Sequence, residues 1–159
     1  MAQDEFKRTI AGLWERLGLE PPRFAEPNRV QLRIEGTTVV LTDNGRGSLI
    51  VEGIAAPLAA DAGTRGRQLR RVLETNLGLL VGNEAGVYLK TRPNRDTVIA
   101  ARCVHRYATA SIQRLIKKIE DTLETIDYYE AELKLMGGAA LRGRPSATAS
   151  NEPEIIFRP

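Results

Sequence analysis

The sequence predicts an α+β sandwich with a mainly antiparallel, twisted sheet and the element order α-β-β-β-α-β-β-α. Apolar residues recur every three or four positions in three segments, which is typical of amphipathic helices. In five shorter segments they alternate with polar residues or run continuously between turn residues, which is typical of strands. Three helices are too few and too scattered for repeated βαβ units, so we expect antiparallel pairing.

The first helix is predicted over Asp4 to Leu17. Asp4 lies near the positive end of the helix dipole and Gly18 supplies a stop. Prolines 21, 22 and 27 exclude a continued helix, so the chain should run extended to the first strand. We expect Trp14 to fill the core rather than to anchor an interface. The apolar stripe of this helix comprises Phe6, Ile10, Leu13, Trp14 and Leu17.

Three strands should follow. Val30, Leu32 and Ile34 alternate with polar residues, and the turn at 35–37 leads to a return strand over 39–41. A second turn at 43–45 contains Asn and Gly, which accept a positive φ at low cost. The next strand, 48–54, is apolar on both faces, and we therefore expect it at the centre of the sheet.

The second half of the chain is predicted to contain two helices and two strands. An Ala- and Gly-rich loop over 55–66 should lead into a helix over 67–79 and a short strand over 87–90. Turn residues at 91–96 precede a strand over 97–104, and a long helix is expected over 111–135.

The length and composition of the chain favour one domain followed by a tail. A chain of 159 residues with 42% hydrophobic residues can bury a core without metals or disulfides. We place a single globular domain at residues 1–136 and a disordered tail at 137–159, where Gly, Ala, Ser, Arg and Pro dominate. The apolar run Ile155–Phe157 leaves open a regulatory, docking or self-covering role, in which it pairs with a strand edge.

The sequence also predicts the cellular location of the protein and the kind of partner that its charge favours. The single cysteine and the lack of a leader pattern predict a cytoplasmic protein. No apolar stretch approaches the roughly 20 residues of a spanning helix, so no membrane insertion is expected. The formal net charge of +3 is mild and favours anionic partners only if it is clustered on one face.

Catalytic and metal sites are not expected. His105 and Cys103 follow strand residues and are predicted to be structural, because neither has an evident catalytic companion. A metal site needs three or four converging ligands, and no such grouping is evident. The sequence thus predicts a protein that is not an enzyme and needs no cofactor. The acidic residues of the last helix are expected to form a solvated face: Glu120, Asp121, Glu124, Asp127, Glu130 and Glu132.

A nucleic-acid site is the alternative interpretation. Gly63-Thr64-Arg65-Gly66 precedes a basic helix, and such a G-x-x-G loop can clamp an RNA backbone, as in domains that resemble the KH fold. That fold would need a helix through Pro57 and would leave the first two strands surplus. A plain loop before a solvated basic helix is the favoured interpretation, and an RNA-binding module using Gly63–Gly66 is the runner-up.

Four segments together resemble one known family. Each is degenerate alone, but Asn76-Leu77 followed by Gly86-x-x-Leu89, after a three-stranded start, is fairly specific in combination. On these segments the chain resembles the class I type III secretion chaperones, also called Tir-chaperone-like proteins, from about Phe6 to Leu133. The segments are Ile10-x-x-Leu13-x-x-x-Leu17-Gly18-Leu19, Leu32-Arg33-Ile34-Glu35-Gly36-x-x-Val39, Leu69-x-x-x-Leu73-x-x-Asn76-Leu77 and Gly86-Val87-Tyr88-Leu89.

The resemblance implies a homodimer without enzymatic activity that acts in the cytoplasm of a Gram-negative bacterium. Its partners would be the N-terminal segment of a secreted effector, held in non-globular form, and the secretion ATPase. Family members are typically acidic, whereas this chain is basic. The dimer contact would comprise Leu69, Val72, Leu73, Asn76, Leu77, Val87 and Leu89.

The effector-binding grooves are the least explicit part of the prediction. An extended segment gains main-chain hydrogen bonds by adding to a sheet edge, while apolar grooves select alternate side chains. Ordinary core positions are an equally good interpretation of the individual groove residues. The candidates are Leu13, Leu17, Val30, Leu32, Ile34 and Ile99.

Overall fold

Three helices and six strands make up the part of the chain that the structure, a computed structural model, describes: residues 2–24, 26–79, 81–108, 111–137 and 156–157. Up to α3 the element order is the predicted one, and a short strand follows it. The elements are α1 (Ala2–Arg16), β1 (Arg29–Ile34), β2 (Thr37–Asp43), β3 (Ser48–Pro57), α2 (Ala62–Leu79), β4 (Gly86–Thr91), β5 (Thr97–Arg106), α3 (Ile112–Leu135) and β6 (Ile156–Phe157).

The six strands form one sheet in the order β4-β5-β3-β2-β1-β6. All neighbours are antiparallel except β1 and β6, which are parallel. The hairpin between β1 and β2 turns through Glu35 and Gly36, whose φ angles of 49° and 85° suit a tight two-residue turn. The prediction that the third strand is central is confirmed, since β3 pairs with β2 and β5.

One face of the sheet carries the core, because α1 and α3 both pack on it. Gly53 of β3 lies directly under α3, and a Cβ there would collide with Ile126 Cδ1 and approach Thr38 O to 3.3 Å. Trp14 is buried, which confirms its assignment to the core. The largest buried side chains are Trp14, Tyr129, Phe6, Ile10, Leu13, Leu32, Leu41, Leu49, Ile99, Leu115, Ile126 and Leu133.

The predicted loop over 55–66 is wrong at both ends. The strand β3 continues to Pro57, and α2 begins at Ala62 rather than at Arg67. Asp61 explains the early start, because its side chain accepts a hydrogen bond from the backbone N–H of Thr64 at 2.7 Å. This is the N-cap arrangement that satisfies an otherwise unpaired donor of the first turn.

The tail differs from the expectation in one place. Ile156 and Phe157 form β6, so the predicted disorder of 137–159 does not hold for these two residues. Residues 138–155 and 158–159, to which the prediction also applies, lie outside the described part of the chain. Among the described helices, none has the length and apolar content that a membrane crossing requires.

Candidate functional site

The helix α2 is attached to the domain through polar contacts with the second half of α3. Gln68 Nε2 donates to the backbone carbonyl of Leu133 at 3.5 Å, and the Thr75 and Tyr129 hydroxyl groups lie 3.1 Å apart. Arg71 Nε donates to Glu132 Oε2 at 2.8 Å. These contacts fix which side of α2 faces inward, and they leave the opposite side to solvent.

The outward side of α2 is apolar. Leu73 and Leu77, one helical turn apart, have exposed fractions of 69% and 74%, and Leu89 on β4 is 52% exposed. Asn76 Oδ1 accepts from the backbone N–H of Val87 at 3.4 Å, which ties α2 to β4. We call Leu73, Leu77 and Leu89 the α2–β4 patch.

The α2–β4 patch lies at an open end of the sheet. β4 is the terminal strand, and within the described residues no strand pairs with its outer edge. An unpaired edge offers main-chain donors and acceptors beside the apolar side chains. Val81, in the turn between α2 and β4, is also exposed, and sequence reasoning missed it because it follows no helical or strand period.

The seven residues predicted for the dimer contact separate into three groups. The α2–β4 patch is available to another molecule, whereas Val72 is buried within the protomer. The remaining three are Leu69, Asn76 and Val87, which are only partly exposed. Of these, Asn76 and Val87 hold α2 and β4 together through their hydrogen bond.

The six residues predicted for effector binding are mostly core. Leu17 and Ile34 keep some exposure at the margin of the core. Ile99 lies on β5, and two strands separate it from β1, so the structure does not bring it beside the three candidates on β1. A fully buried side chain offers no surface to a partner. The buried candidates are Leu13, Val30, Leu32 and Ile99.

A polar cluster on the other face of the sheet ties β4 to its neighbours. Glu52 on β3 accepts hydrogen bonds from the hydroxyl of Tyr88 and the ammonium of Lys90, both on β4. Burial raises the pKa of Glu52, but the contacts with Lys90 and Tyr88 outweigh it and hold that pKa below its usual value. The Arg102 guanidinium lies 5.7 Å from the centre of the Tyr88 ring. These contacts hold the edge strand β4 against β3 and β5.

Cys103 and His105, the two side chains best suited to catalysis, lie beneath α3. Burial raises the pKa of the Cys103 thiol, which keeps it protonated. Burial, with Lys118 and Arg114 nearby, lowers the pKa of His105 to about 4, so the imidazole is neutral. Both residues are buried and therefore belong to the core, as predicted.

The acidic face predicted for α3 is wrong at Asp121, which is buried. Asp121 Oδ2 accepts from the backbone N–H of Glu84 at 3.0 Å, and the carboxylate also pairs with Lys117. Its role is to anchor the turn before β4. Within the described residues, no three His, Cys or carboxylate side chains are placed to share a metal ion.

The loop required by the RNA-binding alternative is absent from its predicted place. Gly63 to Gly66 lie in the first turn of α2, behind the Asp61 cap, and so belong to a helix. The prediction of a G-x-x-G loop is therefore wrong. Of the basic residues beyond it, Arg71 is paired with Glu132 rather than presented alone.

Comparisons with known proteins identify the fold. No family model matches this chain, and no curated protein matches it in sequence. Among solved structures, a chain of the HopA1–SchA chaperone–effector complex superposes with a TM-score of 0.66 at 16% identity, covering 82% of this chain and 97% of that one. The Yersinia pestis type III secretion chaperone SycH, in complex with a stable fragment of YscM2, is the subject of another similar structure. It gives a TM-score of 0.60 at 15% identity, with 78% and 98% covered.

These similarities show that the chain has the type III secretion chaperone fold, as predicted. A protein with a different description has a similar fold. YbjN from E. coli, described as a putative transcription regulator, superposes with a TM-score of 0.58 at 10% identity, covering 82% of this chain and 93% of YbjN. Function therefore has to be argued from the surfaces of this chain.

Proposed function

We propose that this protein is a non-enzymatic type III secretion chaperone of the cytoplasm of a Gram-negative bacterium. As a homodimer it binds the N-terminal segment of a secreted effector and keeps that segment non-globular, soluble and competent for export. Its further partner is the secretion ATPase. The observation that carries the proposal is the α2–β4 patch, an apolar surface at an open sheet edge of a fold found in chaperone–effector complexes.

Self-association through α2 and β4 is supported by the composition of that edge. Three large apolar side chains would leave water together, and two copies related by a twofold axis would present the same patch to each other. Burial of apolar area is the main source of stability in such contacts. The polar cluster around Glu52 holds β4 in place before the contact forms.

Binding of an extended client is supported by two apolar side chains that the core covers only in part. Leu17 and Ile34 lie at the margin of the core, where an apolar side chain of an added segment can pack beside them. Ordering a disordered segment opposes binding, so the client has to contact a large surface. The burial of Cys103 and His105 supports a binding role rather than catalysis.

The substitution Leu73→Asp tests the dimer. Light scattering of the wild-type protein at micromolar concentration should give twice the protomer mass of 17.5 kDa. Leu73→Asp should give the protomer mass, because a carboxylate would be buried at the contact without a partner. The matched control is Leu135→Asp, since Leu135 is also an exposed leucine of a helix and lies outside the patch.

Two outcomes would contradict this arrangement. A monomeric wild-type protein would remove self-association from the proposal. A dimeric Leu73→Asp variant would remove α2 from the contact and leave the dimer to another surface.

Client binding is tested by copurification followed by proteolysis. The tagged protein should recover a secreted protein whose protected region lies in its N-terminal segment, and that segment should be cleaved readily when it is free. Leu17→Asp with Ile34→Asp should reduce recovery, whereas Leu135→Asp should not. Protection of a folded internal domain instead of an N-terminal segment would be evidence for another kind of partner.

A further inference from the structure

The face of the sheet opposite the helices carries a second surface with exposed apolar area. His105 of β5 lies beneath α3, so the alternation of the strand places Arg102, Val104 and Arg106 on the other face. Val104 is 41% exposed, and Ile50 of β3 lies directly across from it and is half-buried. We call Ile50, Arg102, Val104 and Arg106 the β3–β5 patch. None of its four residues belongs to the α2–β4 patch.

Positive charge predominates on this face of the sheet. In the described strands, five basic side chains lie on it, and Glu52 is the only carboxylate. Glu52 already accepts hydrogen bonds from Tyr88 and Lys90. A surface on which one sign of charge predominates attracts partners of the opposite sign. The basic side chains are those of Arg29, Arg33, Lys90, Arg102 and Arg106.

The two arginines of the β3–β5 patch can each receive a carboxylate. Both are exposed, and among the described residues neither Arg102 nor Arg106 forms an ion pair. The contact of the Arg102 guanidinium with the Tyr88 ring restricts this side chain before a partner arrives. A guanidinium offers a planar pair of N–H donors that matches the two oxygens of a carboxylate. Each end of the patch therefore presents a cation, and the apolar pair lies between them.

The spacing along β5 determines what this patch can recognise. Arg102, Val104 and Arg106 are alternate residues of one strand, so about 13 Å separates the backbone positions of the two arginines. An extended segment that lies along this face presents its own side chains with the same period. A segment with acidic, apolar and acidic residues at alternate positions therefore matches the three residues one for one.

A nucleic acid fits this patch less well than a peptide does. Basic grooves for single strands usually contain aromatic side chains on which the bases stack. In the described strands, Tyr88 is the only aromatic residue on this face, and its hydroxyl donates to Glu52 while Arg102 lies over its ring. The centre of the patch is the aliphatic pair of Ile50 and Val104, which suits an aliphatic side chain of a partner.

We propose that the β3–β5 patch binds an extended acidic segment of a protein partner, in which two carboxylates flank an apolar side chain at alternate positions. The identity of this partner as a secreted effector rests on the proposed function. Arg102 and Arg106 pair with the carboxylates, and Ile50 with Val104 covers the apolar side chain. The charges select the segment against basic competitors. The contact is small, so it contributes one part of the binding of a longer segment.

The β3–β5 patch is tested with defined peptides and the full-length protein. The probe is a short synthetic peptide in which glutamate, leucine and glutamate alternate with serine, and the reference peptide has lysine in place of glutamate. At low salt and millimolar concentration, the acidic peptide should shift the NMR signals of Ile50 and Val104, and the reference peptide should not. Added salt should weaken the binding, because it screens charges at an exposed site. No shift with the acidic peptide, or equal shifts with both peptides, would overturn the proposal.

Charge reversal assigns the binding to this patch. The variant Arg102→Glu with Arg106→Glu should bind the acidic peptide at least tenfold more weakly than the wild type. The matched control, Arg8→Glu with Arg23→Glu, reverses two exposed arginines elsewhere and should bind within twofold of the wild type. If the reversed variant does not fold, Arg102→Gln with Arg106→Gln should still weaken binding at least threefold. An equal loss in the control, or tighter binding of a short RNA with the same number of charges, would overturn the proposal.

None of these measurements involves an effector, so the patch and the proposed function can fail separately. If the acidic peptide binds and copurification recovers no secreted protein, the proposed function is lost and the peptide site remains. If the wild type and the Arg102→Glu, Arg106→Glu variant recover a client equally well, chaperone function remains and the patch is excluded as a contact of that client.

Discussion

His105 shows how burial of one residue sets a pH dependence. It is the only histidine of the chain, it is buried, and its Nδ1 has no hydrogen-bond partner among the described residues. The cationic side chains of Lys118 and Arg114 lie close enough to disfavour a second positive charge. The folded state therefore holds this imidazole in its neutral form.

Stability should fall as the pH drops below about 6.5. The unfolded chain binds a proton on its histidine near pH 6.5, whereas the folded protein does so only near a pKa of about 4. Between these values the unfolded state holds more protons, so the free energy of unfolding decreases as the pH falls, by a total on the order of 3 kcal/mol. Urea unfolding at several pH values measures this slope.

His105→Leu is the control for that slope. Leucine removes the titrating group and should flatten the dependence between pH 6.5 and pH 5. The pKa of Glu52 and that of Glu84 are lowered in the folded state, so the stability that these two carboxylates contribute is lost only at lower pH. An unchanged slope in the variant would show that another group is responsible.

Single-residue predictions from the sequence succeeded where burial follows periodicity. Trp14 and Cys103 lie in the core as expected, because their neighbours define an inward face. The burial of Asp121 was not predicted, because this residue belongs to a row of acidic residues that is typical of a solvated helix face. Its burial depends on Lys117 and on the backbone of Glu84, a residue that reaches it only through the fold.

The packing of α3 on β3 depends on Gly53. A methyl group there would collide with the end of Ile126 and press on the backbone of Thr38, so Gly53→Ala should lower the free energy of unfolding by about 1–3 kcal/mol. Ile126→Val removes the colliding carbon and should alone cost about 1 kcal/mol.

The double variant Gly53→Ala with Ile126→Val should be more stable than the sum of the two losses predicts. Ile126→Val removes the carbon that the new methyl group would meet, and the methyl group fills the space that this carbon leaves. Chemical denaturation of the four proteins measures this coupling. Simple additivity would show that α3 does not rest on this position as closely as the structure indicates.

The elements differ in how well the sequence predicts them. Long, strongly periodic segments such as α3 were located to within a residue. The start of α2 was misplaced because Gly63 and Gly66 suggest a loop, and only the hydrogen bond from Thr64 to Asp61 reveals the cap. β6 is a two-residue strand whose existence depends on β1, so a local pattern can suggest an available segment but not its partner.

At the scale of the whole molecule, folding and association should be linked. If α2 and β4 form the dimer contact, the melting temperature of the wild-type protein should rise with protein concentration, by about 2 °C for each tenfold increase. Leu73→Asp should melt at a temperature that does not depend on concentration. Scanning calorimetry over a hundredfold range measures both. A melting temperature of the wild type that does not change with concentration would show that folding is not coupled to association.

The architecture was predictable to the extent that it follows from element order. Two hairpins and a central strand apolar on both faces predict the antiparallel sheet, whereas the order of all its strands comes from the structure. The candidate surfaces were less predictable. Buried and exposed apolar residues can stand side by side in one element. Val72 and Leu73 are consecutive residues of α2, yet the fold buries the first and leaves the second exposed.

The positions of β4 and β1 within the sheet determine how a client could be arranged on a dimer. β5, β3 and β2 lie between them. In a dimer joined at β4, nine strand spacings of about 4.8 Å would separate the two β1 strands, a distance of roughly 43 Å across a flat sheet. An extended chain covers about 3.3 Å per residue, so one client that engages both sites needs at least about 13 residues between its two binding motifs. Shorter clients would have to occupy one site each, and the spacing of motifs in a client sequence would thus reveal how many chains a dimer carries.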